Sequence, residues 1–392
     1  MREVVIVSTA RTPFGSFQGS LSSLPAPRLG AIAIEAALKR AGINPDQVSE
    51  VIMGNVLTAG EGQAPARQAA ISAGIPKTVP ALTINKVCGS GMKAIMLGAQ
   101  SIMLGDSEVV VAGGMESMSN APYLLPGARS GLRMGHQPFI DSMVHDGLWD
   151  PYNNQHMGNC AELCAKEMHF TREAQDQYAT QSFRRAQEAQ KAGKFREEII
   201  GISIAGRKGE TTMVDTDEGP SKVQFDKIPT LKPVFDKQGT VTAANASTIN
   251  DGAAALVLTS SDYARQHGLR PLARIAGYGT NAQAPEWFTT APAEAMRRAM
   301  KKAGWEASSV DLFEVNEAFA VVAMAAQKEL NIPDEKLNVW GGGISLGHPI
   351  GASGARLIVT LLSALKDRGL KKGVTGICIG GGEATSICVE RL

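Results

Sequence analysis

Three segments of this chain occur twice in the same order, and that repetition limits the possible folds more than any other feature. AGINPDQVSEVIMGN (41–55) lines up with AGWEASSVDLFEVNE (303–317) at a constant offset of 262, pairing Ala41 with Ala303, Gly42 with Gly304 and Val48 with Val310. GSGMKAIM (89–96) meets ASGARLIV (352–359) at an offset of 263, and AGG (112–114) meets GGG (380–382) at 268. Repeated segments in one order imply two copies of a single fold.

Both middle segments read as helices. Met92, Ile95, Met96, Ala99 and Ile102 recur on one face, as do Ala355, Ile358, Val359, Leu362 and Leu365. Strand patterns flank them: ALTINKV and SEVVVAG around the first, KLNVWGG and GVTGICIG around the second. Strand, helix and strand in succession imply parallel pairing with helices packed on the sheet. The expected class is α/β: two similar halves with mixed, mostly parallel sheets packed through helices, plus an inserted loop domain. The first half is expected at 1–118 with about 250–270, the insertion at 119–249 and the second half at 271–392. The insertion begins with turn formers (SNAPYLLPGARSGLRMGHQPF) and continues into a charged amphipathic helix (FTREAQDQYATQSFRRAQEAQKAG). Long insertions in such folds usually carry binding surface or subunit contacts.

Composition narrows the function classes. With 39 Lys+Arg against 38 Asp+Glu the net charge is +1, which argues against a broad nucleic-acid footprint. No run approaches the roughly 18 apolar residues of a membrane span, and MREVVIVSTA starts as a strand with no export or transit pattern. Five scattered cysteines (88, 160, 164, 378, 388) fit reduced thiols in a cytoplasmic enzyme better than a disulfide framework. Cys160 and Cys164 share a helical face but have no matching pair at ligand spacing, so no metal is expected.

Cys88 stands where a strand stops and the GSGMKAIM helix begins. There the unpaired amides and dipole of a helix start are expected to lower the thiol's pKa and make it a nucleophile; the alternative is a buried structural cysteine. His348, in GGGISLGHPIGASGARL, occupies the equivalent turn of the second copy and is a candidate base for that thiol. Asn316, in FEVNEAFA, ends a strand and reads equally as a turn residue or as a group that polarises a thioester oxygen. Cys378 stands in GICI, just ahead of three glycines whose amides could hold an oxyanion, and is expected to face the same pocket.

NKVCGSGMKA, NEAF, GHPIGASGAR and CIGGGEA together resemble the thiolase family, on its biosynthetic acetyl-CoA acetyltransferase side, over residues 2–392. The resemblance implies reversible condensation of two acetyl-CoA to acetoacetyl-CoA and CoA. Cys88 would carry the acyl group, His348 would activate it and Cys378 would move the α-proton. One oxyanion hole would be formed by His348 and a water on Asn316, another by the N–H groups of Cys88 and Gly380. It also implies that the pantetheine arm passes Leu148, His156, Met157, Phe235, Ala243, Ser247, Ala318 and Phe319, with Lys222 near a CoA phosphate. At PEWFTTAP, Trp287 and Phe288 replace a smaller pair and bear on acyl-chain preference. CoA thioesters would be the substrates, with no separate cofactor, no nucleic-acid partner and no membrane. GARSGLRMGHQPFIDSMVHDGLW resembles the loop that joins dimers into homotetramers. Competing readings are a broader 3-ketoacyl-CoA thiolase of β-oxidation, a ketoacyl-synthase-type condensing enzyme and a cysteine hydrolase. Cys378 argues against the last two.

Overall fold

The structure is a computed structural model that describes residues 2–206 and 210–392. Nine strands form the main sheet: β1 (Val4–Arg11), β2 (Glu50–Gly54), β3 (Ala81–Ile84), β4 (Val109–Ser117), β5 (Asn250–Ser260), β6 (Ala273–Ala282), β7 (Leu312–Val315), β8 (Lys372–Ile379) and β9 (Glu383–Arg391). Their order is β7-β8-β9-β6-β1-β5-β4-β2-β3, with the two-residue strand Gly15–Ser16 added beside β5. The β1–β6 seam consists of only two residue pairs, Val5 with Arg274 and Ile6 with Ala273. On either side of that seam lie the two halves.

The duplication is visible in the ladders. β2 runs parallel to β3 and β4, and β7 runs parallel to β8, where helical crossovers join the strands. The other pairs on the path are antiparallel, because β5 and β9 return beside β4 and β8. Parallel pairing is thus confined to the outer strands of each half.

Register corrects one repeat alignment. Glu50 pairs with Val110 and Leu312 with Gly373, so β4 and β8 correspond at an offset of 263. Ala112–Gly114 therefore match 375–377, not the three glycines at 380–382. A second correction concerns KLNVWGG, which forms single bridges (Phe313 to Leu337, Val339 to Gly341) rather than a strand. The Asn338 side chain takes the place of a neighbouring backbone: its Oδ1 accepts from Val315 N (2.8 Å) and its Nδ2 donates to Val315 O (2.9 Å).

Eight principal helices cover and separate the halves: α1 (Ala26–Ala41), α2 (Pro65–Ser72), α3 (Ser90–Leu104), α4 (Met157–Glu167), α5 (Arg172–Lys191), α6 (Ala291–Ala303), α7 (Ala320–Leu330) and α8 (Ile350–Asp367). α1 and α6 end alike, on Gly42 (φ 67°) and Gly304 (φ 70°), the left-handed position glycine fills without strain. α3 and α8 lie between the half-sheets, and Met92, Ile95, Met96, Leu357, Ile358 and Leu361 build the central core. They approach closely through glycine. A Cβ on Gly91 would lie 2.9 Å from Gly351 O, and one on Gly354 would lie 2.5 Å from Met92 N.

α8 is apolar on nearly every side because both sheets cover it. Residues 87–104, contrary to expectation, do reach the length and apolarity of a membrane-crossing helix; they are α3 and its lead-in, more than half buried in this core. The insertion is not loop throughout. α4 and α5 pack on the second half, with Cys160, Cys164, Tyr178 and Phe183 joining the core around Phe313 and Val321. Cys160 Sγ lies 3.8 Å from Asp150 Oδ2, and among the described residues no group of three or more His, Cys, Asp or Glu is placed to hold a metal ion.

Candidate active site

After β3 the chain turns sharply into α3. Val87 takes a left-handed conformation (φ 44°), rare for a β-branched residue and the kind of strain that gathers at functional turns. The turn is held by side chains: Asn85 Oδ1 accepts from Val87 N (2.9 Å), while Ser90 Oγ accepts from Lys86 N (2.8 Å) and donates to Val87 O (2.6 Å). Cys88 sits at its apex, partly exposed.

Desolvation works against the low pKa expected at Cys88. Burial of the sulfur pushes the thiol up to about 11, and the nearby Glu116 carboxylate adds to the rise, against hydrogen bonds from the backbone of Gly380 and of Cys88 itself. The helix start supplies little help. Gly89 N and Ser90 N, which could have faced a thiolate, already donate to Lys86 O and Val87 O (3.0 Å each). Glu116 itself is buried, its carboxyl pushed up to about 7 by burial against its amide donors.

The turn before α8 is built differently. Gly347 (φ 116°) lets the backbone lie against Asn250, whose Oδ1 accepts from His348 N (2.9 Å). His348 Nδ1 lies 2.6 Å from Ser353 Oγ, and the single Ser353 hydroxyl proton goes to Pro349 O (2.8 Å). By that hydrogen-bond network Nδ1 carries the imidazole proton and Nε2 is left as the basic nitrogen. Nε2 stands 3.4 Å from Asn316 Nδ2. Burial, then the charge of Arg356, lowers His348 to about 3, so the ring is neutral at ordinary pH.

Asn316 follows β7, fully buried, with Oδ1 lacking any protein partner. Its neighbour Glu317 fastens the lead-in to His348, accepting from Ile344 N (3.1 Å), Asn338 Nδ2 (2.9 Å), Tyr178 OH (2.9 Å) and Ser182 Oγ (2.7 Å). Tyr178 and Ser182 belong to α5, so the insertion braces the site. Cys378 lies near the end of β8. It has no exposed surface, and its thiol is held well above the ordinary value by burial and then by the proximity of Cys88. Beyond it the Gly380–Gly382 turn (Gly381 φ 89°, Gly382 φ 82°) is tied to the Cys88 turn by an ion pair between Glu383 and Lys86.

Cys88, His348 and Gly380 open into one largely apolar cavity of about 620 Å³. Every residue expected along the pantetheine arm lines it: Leu148, His156, Met157, Phe235, Ala243, Ser247, Ala318 and Phe319, together with Phe288 and Lys222. Trp287 does not; of the PEWFTTAP pair only Phe288 reaches the wall. His156 stacks on Phe235 (centroids 4.7 Å apart), and Phe235 and Phe288 meet Phe319 edge-on (6.1 and 6.2 Å). At the mouth Lys222, which pairs with Glu218 (3.0 Å), is shared with a second hollow of about 290 Å³ that also presents Lys227, Gln224 and Leu231. Met118 and Ile350 line the cavity without having been expected there. Ser353, which sets the tautomer, was readable only as a serine in the first turn after His348.

A pocket that joins a cysteine, a neutral imidazole and a second buried thiol suits acyl transfer through a thioester. Residues 4–262 match the profile of the thiolase N-terminal domain and residues 269–391 that of the thiolase C-terminal domain. Acetyl-CoA acetyltransferase 2 of Arabidopsis thaliana is 58% identical over 393 residues, covering 100% of this chain and 98% of that protein. Acetyl-CoA acetyltransferase of Cupriavidus necator is 55% identical over 392 residues, all of both chains. The enzyme of that name from Schizosaccharomyces pombe is 52% identical, covering 100% of this chain and 99% of its own.

Proposed function

The chain belongs to the thiolase family, and from that premise we propose that it is an acetyl-CoA C-acetyltransferase, joining two acetyl-CoA reversibly into acetoacetyl-CoA and CoA. The observation that carries this reading is that Cys88, His348 and the Gly380 turn open into one apolar cavity, with the buried thiol of Cys378 close to Cys88.

With Cys88 at about 11 and His348 at about 3, a preformed thiolate–imidazolium pair is disfavoured. Proton transfer therefore accompanies attack. Cys88 Sγ bonds to the thioester carbon as its proton passes to His348 Nε2. The carbon–sulfur bond to CoA breaks, and the departing thiolate takes the proton of Cys378, leaving Cys88 acetylated and a Cys378 thiolate beside a His348 imidazolium. Opposite charges created together offset each other's desolvation. The Cys378 thiolate then removes an α-proton from a second acetyl-CoA. The resulting carbanion bonds to the acetyl carbon, and Cys88 leaves as thiolate, recovering the proton from His348. Every proton is returned. The N–H groups of Cys88 and Gly380 face one developing oxyanion, and His348 with a water on Asn316 the other.

Phe288, packed against Phe319, closes part of the wall and favours a short acyl group. Lys222 and Lys227 would meet the phosphates of CoA at the mouth. The reading extends to CoA thioesters as sole co-reactants with no further cofactor, a cytoplasmic location, a place in lipid metabolism, and a homotetramer joined through 127–149, where Met134 and Phe139 stand exposed. Steady-state thiolysis of acetoacetyl-CoA against longer and 2-methyl 3-oxoacyl-CoAs tests the substrate. A preference of at least about tenfold for acetoacetyl-CoA supports it, a difference of one methylene being worth roughly 10–200-fold in a tight pocket; equal kcat/KM across the series counts for the broader β-oxidation thiolase. For the division of labour, Cys378→Ser should still take acetyl on Cys88 yet lose exchange of acetyl-CoA methyl protons with deuterated water by about 10²–10⁴-fold. Exchange at the wild-type rate, followed by NMR, rules that role out.

A further inference from the structure

We propose that Glu116 is a positioning residue for the reaction, holding the start of α8, and with it His348, in register with Cys88; this rests on the acetyl-transfer reading above. Glu116 stands one residue before the end of β4 and is fully buried. Its Oε1 accepts from Asn55 Nδ2 (2.9 Å) and Leu57 N (3.1 Å), its Oε2 from Val56 N (3.1 Å) and Gly351 N (2.8 Å). Among the described residues no cation pairs with it. A buried carboxylate without a counter-ion is costly, and here four N–H donors and the N-terminal dipole of α8 offset part of that cost.

Gly351 is the second residue of α8, three residues after His348, and a Cβ there would lie 2.6 Å from Glu116 Oε2. The carboxylate thus grips the start of the helix by its backbone, from a strand of the other half. Its remaining donors belong to the chain after β2, where Val56 and Leu57 pack with Ile350 and Cys88 in one small apolar cluster. One side chain therefore ties together three pieces of backbone: the end of β4, the floor under Cys88, and the first turn of the helix that carries the base. A base displaced by about 1 Å can lose about 10²-fold in rate, so such a tie acts on the chemical step rather than on substrate affinity.

Glu116→Gln keeps the shape but turns an NH₂ group against two N–H donors. The test mixes acetyl-CoA with wild-type and variant enzyme, quenches at short times and measures acetyl on the Cys88 peptide by mass spectrometry. The rate of Cys88 acetylation is expected to fall about 10–100-fold, with the half-saturating acetyl-CoA concentration unchanged within about twofold. A folded variant acetylated at the wild-type rate, or one whose loss lies wholly in acetyl-CoA affinity, overturns the inference. Should Glu116→Gln not fold, Asn55→Ala, which removes one of the four donors, decides it: a fall of about threefold at constant affinity supports the role and an unchanged rate overturns it. Wild-type enzyme that never carries acetyl on Cys88 would instead defeat the underlying reading.

Discussion

The turn into α3 and the turn into α8 are duplicates, and each has a serine at the same place in the repeat, Ser90 and Ser353. Ser90 spends both its hydrogen bonds on its own loop, on Lys86 N and Val87 O, and holds a strained turn that presents Cys88 to the cavity. Ser353 spends one on Pro349 O and the other on His348 Nδ1, so the same hydroxyl sets a tautomer. Cys88 keeps partial exposure, while His348 is buried and neutral. Duplication made two matching helix starts meet. Burial and one side-chain contact then made them unlike: a partly exposed thiol at one start and a buried, neutral imidazole at the other.

The largest expected effect would break this asymmetry outright. Cys88→Ala should abolish acetyl-enzyme and lower thiolysis by at least about 10⁴-fold; acetylated protein of the variant in a mass spectrum would move the nucleophile to another residue. Next in size is the pH dependence of alkylation by iodoacetamide. Because folded Cys88 holds its proton up to about 11, its thiolate fraction, and with it the rate, should climb about 100-fold between pH 7 and 9 and continue upward. A plateau below pH 8 would mean that the helix start does activate the thiol.

Ser353→Ala leaves a buried Nδ1–H without an acceptor, worth about 1–3 kcal/mol, and should lower kcat about tenfold at constant KM. Ser90→Ala should instead loosen the loop and lower the melting temperature with a smaller loss of kcat; equal kinetic losses from the two serines would erase the distinction between the turns. The smallest effect belongs to the partly exposed Lys86–Glu383 pair, which links the Cys88 turn to the glycine turn. Lys86→Ala should change kcat no more than about threefold, as pairs in contact with water contribute little.

How much of this was legible follows from the range of each interaction. α3, α8, β4 and β8 were readable because apolar periodicity is local and each face meets one core. The stretch at 336–342 read as a strand and is not one, since Asn338 hydrogen-bonds β7 with its side chain, and strand pattern is silent about that substitution. The pocket wall from Leu148 to Phe319 came from motifs of a known family, not from periodicity. Cys378 was assigned to an end of the sheet, but its full burial was not legible, as strand position says nothing of what covers its sulfur. Glu116, in the apolar run VVVAGGMES, carried no signal: its donors are the Asn55 side chain and backbone groups at 56, 57 and 351.

By itself the sequence determined that the chain folds as two copies, that helix starts carrying Cys88 and His348 converge, and which residue types stand at that meeting. Those follow from periodicity and repetition, which are properties of neighbouring residues. Only the tertiary structure decided which protons are held: a thiol raised rather than lowered, an imidazole kept neutral with Nε2 free, a second thiol fully buried beside the first. Protonation depends on desolvation and on donors brought from far along the chain, and these exist only once the two halves have closed on each other.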